Sequence, residues 1–193
     1  MKTENNYQLK HYRKLLHIFS GIIAIAYYFF SVKEHIFIYI LYIIIVGILV
    51  LDILRMTIPK INDLVFKYLH HLFINREREK INSAAYYFIG VLFCVYFFPV
   101  EVAVSSILFL SFGDSTASFV GTHWGKHKFI KEKTLEGSSA CLIICFLIAI
   151  IFLPLQISLI GAIVATSSEV IPWNLDDNLT VPVFSGIAMT LLY

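Results

Sequence analysis

Residues 105–139 read SSILFLSFGDSTASFVGTHWGKHKFIKEKTLEGSS. An apolar run carries the chain as far as Phe112 and breaks on Gly113-Asp114, so a carboxylate falls where hydrocarbon is expected. A charged side chain costs roughly 2.5–3.5 kcal/mol at the centre of an inserted helix, and one that is kept there reads first as functional. Around it Gly113, Ala117, Gly121 and Gly125 recur every four residues. That spacing gathers small residues on one helical face, where a neighbouring backbone or a ligand can come close. Lys126, Lys128, Lys131 and Lys133 come next, and Glu136-Gly137 closes the stretch. A carboxylate, a small-residue face and a lysine cluster are the groups that a metal–phosphate site at a membrane surface requires.

The composition around this stretch agrees. Of 193 residues, 59% are hydrophobic and only 15% charged, against roughly 25% charged in soluble domains. Mean hydropathy is +0.79. The reading is therefore an integral membrane protein with one domain, residues 1–193, and no cleavable signal pattern ahead of the first long apolar run. The net charge of +2 carries no nucleic-acid signature, because the basic residues sit beside apolar runs. Cys94, Cys141 and Cys145 lie inside such runs without metal or disulfide spacing and read as small hydrophobes.

The predicted fold is all-α, a polytopic bundle of about seven membrane segments: Leu15–Val32, Ile36–Leu54, Ala84–Pro99, Val102–Phe112 (extending towards Gly121), Ala140–Leu155, Ile157–Val170 and Leu179–Tyr193. Several fall short of the roughly 20 residues that span a bilayer, and the fourth is expected to be irregular. Pro99 and Pro154 are placed in turns, where a missing N–H matters least. If the segments alternate, every Lys and Arg except Lys33 falls on one side, which the positive-inside rule makes the cytosol, N-terminus included. The polar oddities collect on that side too: Arg13, Lys14 and His17, Asp52 with Arg55, Glu79, Glu169, and Asp176-Asp177-Asn178.

Several of these have plain readings. Asp52 and Arg55, at i and i+3, form an ordinary helix-end ion pair. Lys126 to Lys133 satisfy the charge asymmetry without any ligand and would attract anionic headgroups. The small-residue face serves helix packing in most membrane proteins. Asp114, Glu169 and the Asp176-Asp177-Asn178 triplet resist such readings, because carboxylate and amide oxygens at a membrane edge suit Mg²⁺. No standard nucleotide loop and no zinc spacing is present.

Taken together, Arg13-Lys14 with His17, Asp52 with Arg55, Glu79 before Gly90, Gly113-Asp114 with Gly121 and Gly125, Lys133-Thr134-Leu135-Glu136-Gly137-Ser138, Glu169, and Asp176-Asp177-Asn178-Leu179-Thr180-Val181-Pro182 resemble the integral-membrane lipid-alcohol kinases. That family includes dolichol kinase, phytol kinase and the CTP-dependent diacylglycerol kinase. The resemblance runs along almost the whole chain, as a core without the extra helices of dolichol kinase. It implies phosphoryl transfer, typically from CTP, to a membrane lipid alcohol (polyprenol, phytol or geranylgeraniol, or diacylglycerol). Under it, Asp114, Asp177, Asn178 and Glu169 would hold Mg²⁺. Lys133, Lys126 and Arg55 would neutralise phosphate, with Gly113, Gly121, Gly125, Thr134, Gly137 and Ser138 lining the nucleotide. Glu136, Glu169 or Asp176 would orient or deprotonate the acceptor. The expected setting is a multi-pass membrane protein (the inner membrane in a bacterium) with its site facing the cytosol. Its partners are the two substrates and membrane lipids, and a homodimer is compatible with the reading. A phosphatidate cytidylyltransferase is the competing enzyme. A small transporter ranks lower, since the polar residues gather on one side instead of crossing the membrane.

Overall fold

The computed structural model describes residues 21–29, 34–68, 78, 80–130, 133–172 and 174–193. They are almost entirely helical. Helix α1 is described over 21–29. It is followed by α2 (Glu34–Thr57), α3 (Pro59–Tyr68), α4 (Ser83–Phe97), α5 (Val100–Leu108), a π-helical turn (Phe109–Asp114) and α6 (Ser115–Trp124). A hairpin of β1 (Lys128–Ile130) and β2 (Lys133–Thr134) leads into α7 (Leu135–Phe152), α8 (Leu155–Val170) and α9 (Asp177–Thr190). The all-α expectation thus holds apart from one short antiparallel hairpin. Among the described residues, three stretches are long and apolar enough to cross a membrane: His35–Thr57, Val100–Trp124 and Leu135–Phe152. Ser83–Phe97 and Leu155–Val170 are apolar but shorter.

The stretch with the interrupted hydropathy is the centre of the bundle. Every residue from Val102 to Leu108 is buried, while α2 and α7 turn Ile43, Ile53, Ile143 and Ile151 outward. Pro99 and Pro154 cap the starts of α5 and α8, the positions where their missing N–H is harmless. The expected irregularity takes the form of the π turn. It is stabilised by serine hydroxyls that donate to carbonyls four residues back, Ser111 to Ile107 at 3.1 Å and Ser115 to Ser111 at 2.7 Å. A π turn inserts an extra residue into the helix and rotates the helix beyond it, a device frequent at functional sites. Here it ends on Asp114.

The glycines after Asp114 serve packing. A Cβ on Gly137 would stand 2.6 Å from the Ala117 carbonyl oxygen, and one on Gly121 2.9 Å from Thr134 Oγ1. One on Gly113 would meet Cys145 Sγ at 2.6 Å. The small-residue face therefore brings the central helix against α7 and Thr134, and close packing requires small residues at Gly113, Gly121, Gly125 and Gly137. Gly137→Ala is expected to destabilise the bundle by about 1–3 kcal/mol, since backbone cannot yield as a flexible side chain does. Gly47→Ala in α2, where nothing lies within 4 Å, should be neutral or stabilising. Thermal unfolding in detergent separates the two.

Candidate active site

Four separated stretches bring their charges to one place. Lys133, on β2, pairs its ammonium with Glu169 near the end of α8, and its Nζ lies 3.8 Å from Asp177 Oδ2 at the start of α9. Asp114, at the end of the π turn, acts on the same ammonium. Burial lowers the Lys133 pKa, but the attraction of Glu169, then Asp114 and Asp177, outweighs it and holds the group above its ordinary value. Two carboxylates thus lie within ion-pair distance of one ammonium, and the charge of a third, Asp114, acts on it. Glu169 is 3% exposed, and its Oε2 is buried without a hydrogen-bond partner. A buried, half-satisfied carboxylate is costly, and such an arrangement marks a functional site more often than a structural one.

The hairpin that delivers Lys133 is anchored on both sides. Thr134 caps α7, its Oγ1 accepting from the Gly137 N–H at 3.2 Å. His127 Nδ1 lies 2.7 Å from Glu136 Oε1, and the His127 N–H donates to Oε2 at 3.3 Å. The Leu135 N–H donates to the His127 carbonyl. Glu136 is therefore engaged in holding the hairpin. Ser138 lies in the first turn of α7, and Lys126 is exposed at the start of the hairpin.

Other expected site residues make contacts that hold the helices together. Arg55 is fully buried: its Nε donates to Asp52 Oδ1 at 2.6 Å, and a terminal nitrogen donates to the Lys80 carbonyl. Asp52 Oδ2 accepts from the Asn82 N–H at 2.8 Å, beside the cap of α4. The pair ties α2 to the start of α4, a structural role for Arg55 in the described fold. Arg55→Met should lower thermal stability by about 3–5 kcal/mol, since it strands the Asp52 charge. Weaker CTP use at unchanged stability would return Arg55 to the phosphate.

Asp176 caps α9, accepting from the Asn178 N–H at 3.1 Å and from Ser83 Oγ at 2.9 Å. Asn178 is buried and donates from Nδ2 to the Ser83 carbonyl at 3.0 Å. These two fasten α9 to α4. Pro182 cannot donate to the Asn178 carbonyl one turn back, and that oxygen lies against Gly90, where a Cβ would stand 2.9 Å away. Ser83 and His127 carry no signal in the sequence; Ser83 acts on a residue 93 positions away, and His127 acts across the hairpin. Arg13, Lys14, His17 and Glu79 lie outside the described residues.

Among the described residues, no group of three or more His, Cys, Asp or Glu side chains is arranged to hold a metal ion. The donor chemistry nonetheless fits a hard cation: Asp114, Asp177 and Glu169 offer only oxygens, and Glu169 Oε2 is unmatched.

The chain is 32% identical to CTP-dependent diacylglycerol kinase 1 of Schizosaccharomyces pombe, covering 73% of this chain and 74% of that one. It is 27% identical to CTP-dependent diacylglycerol kinase 1 of Saccharomyces cerevisiae, over 92% of this chain and 71% of that one. Against the phytol kinase of a Synechocystis species it is 30% identical, over 46% and 43%. No family model and no solved structure matches the chain.

Proposed function

This chain belongs to the family of the CTP-dependent diacylglycerol kinases, and from that premise we propose that it transfers the γ-phosphoryl group of CTP to the hydroxyl of a membrane lipid alcohol. It does so as one membrane domain of about seven segments with its reaction centre on the cytosolic side. The observation that carries this reading is the pairing of Lys133 with Glu169 and Asp177, within the field of Asp114. The cytosolic placement is supported by the lysine and arginine asymmetry along the sequence.

Phosphoryl transfer asks a protein mainly for positioning and charge stabilisation. Lys133 supplies the positive charge for phosphate oxygens. Asp114 and Asp177, with Glu169 beside them, are the oxygen donors that would hold Mg²⁺, which when bound neutralises charge on the nucleotide phosphates. Arriving phosphate competes with Glu169 for the Lys133 ammonium. Released from the ammonium, Glu169 Oε1 orients or deprotonates the lipid hydroxyl. The acceptor's apolar tail lies among the helices while the nucleotide enters from water.

The test is purified protein in detergent micelles with γ-labelled CTP, Mg²⁺ and a panel of diacylglycerol, phytol, geranylgeraniol and a short polyprenol. Label in lipid supports the kinase. No label, with pyrophosphate released on adding phosphatidate, replaces it with cytidylyl transfer.

A further inference from the structure

The kinase reading leaves the acceptor open, and the inside of the bundle bears on it. Among the described residues, Glu169 Oε2 and Thr166 Oγ1 on α8 and Thr180 Oγ1 on α9 are buried without a hydrogen-bond partner. Thr180 is 1% exposed. Hydroxyls in apolar helices usually satisfy themselves on the carbonyl one turn back, as Ser111, Ser115, Ser158 and Ser185 do here. Thr166 and Thr180 make no such bond. A bare buried hydroxyl is costly, so two of them on the same two helices as an unmatched carboxylate oxygen and Asp177 point to a polar group brought by a ligand.

Their position says which part of the ligand. Helix α8 ends, and α9 begins, at the carboxylate cluster. Thr166 precedes Glu169 by three residues and Thr180 comes three after Asp177. Each threonine therefore sits on the side of its helix that carries the carboxylate, about 4.5 Å deeper in the bundle. A lipid alcohol whose free hydroxyl meets Glu169 presents its next few atoms at that depth. In a diacylglycerol those atoms include ester carbonyl oxygens, which accept hydrogen bonds. In phytol or a polyprenol they are hydrocarbon. The remaining unpartnered buried oxygens, on Asn62 and Thr190, lie on α3 and at the opposite end of α9.

We propose that Thr180, assisted by Thr166, donates to an ester carbonyl of a diacylglycerol whose free hydroxyl meets Glu169, and so selects an acylglycerol over an isoprenoid alcohol. A site built to hydrogen-bond a substrate group rejects the analogue that lacks it, because its own polar atoms are then left buried and bare. This inference rests on the kinase reading.

The experiment uses the full chain in mixed micelles with γ-labelled CTP and three acceptors: a diacylglycerol, the dialkyl ether analogue of equal chain length, and phytol. Ester and ether differ only in the carbonyls. The wild-type protein should prefer the ester by about tenfold in kcat/KM, the scale of one hydrogen bond. Thr180→Val, which keeps the side chain's shape, should bring the ester-to-ether ratio several-fold closer to one. Thr180→Ser should restore it, and Thr166→Val should lower it less. The ratio is internal to each preparation, so a partly misfolded variant does not distort it. An ester-to-ether ratio near one in the wild type, or unchanged by Thr180→Val, overturns the proposal while the kinase stands. Label in none of the three lipids overturns the kinase reading, and this inference with it.

Discussion

Asp114→Asn is expected to leave the protein folded and inserted in the membrane and to lower kcat by about 10³-fold, the scale for removing one group that stabilises charge in the transition state. The substitution preserves shape and removes a single charge. Asp114 has no described hydrogen bond that the fold depends on, and the turn that carries it is held by Ser111, Ser115 and the contact of Gly113 with Cys145. Lys133 keeps Glu169 and Asp177 as partners in the variant. Thermal unfolding should therefore change little while turnover collapses. If Asp114 supplies an oxygen to Mg²⁺, the residual activity should also need more Mg²⁺ for half-maximal rate. Initial rates over a Mg²⁺ titration, beside an unfolding curve, read both quantities. Full activity in the variant would sink the assignment.

Hydropathy carried much of the architecture, because the long apolar runs fold as helices. The apolar segments expected at Ile36–Leu54, Ala84–Pro99 and Ile157–Val170 match α2, α4 and α8 within a few residues. The errors arise where polar atoms are satisfied locally. Helix α7 begins at Leu135, well before the expected Ala140, because Thr134 caps a first turn that is polar in sequence. The fourth segment does extend past Gly121, as expected, because the small residues of α6 pack on α7. Helix α3 reads as loop by hydropathy, although Ile61 with Val65 marks an apolar stripe at helical spacing, and these two pack with Phe66.

The site divides along the same line. Asp114, Glu169 and Asp177 stand out in the sequence as charges that hydrocarbon does not excuse. The distinction between ligand and strut is not legible locally. Arg55 and Lys133 are both cations beside apolar runs, and only the tertiary structure gives the first a buried partner and a backbone carbonyl and the second a cluster of carboxylates. Asp176 and Asn178 have the chemistry of metal donors, and it is Ser83, far away in sequence, that supplies their partners.

Lys133→Met separates the two meanings of that cation. As an ion-pair partner, Lys133 stabilises a carboxylate that is almost wholly buried and accepts from nothing else described. Removing it should destabilise the protein by about 2–4 kcal/mol, at the low side of the range for stranding a buried charge because a third of the lysine side chain meets solvent. Glu169→Gln should cost less, since the ammonium keeps Asp177 and Asp114 nearby and is partly hydrated. The double variant Lys133→Met/Glu169→Gln should recover much of the stability, because no buried charge is then left alone. Activity should obey a different rule. Each single variant should lose turnover, and the double variant should stay inactive however well it folds, because neutrality satisfies the fold but offers phosphate no cation and the acceptor no base. Stability restored without activity is the result that distinguishes a reaction centre from a structural ion pair. If the double variant regained activity along with stability, Lys133 and Glu169 would be a strut like Asp52 and Arg55, and the phosphate-binding cation would have to be sought elsewhere.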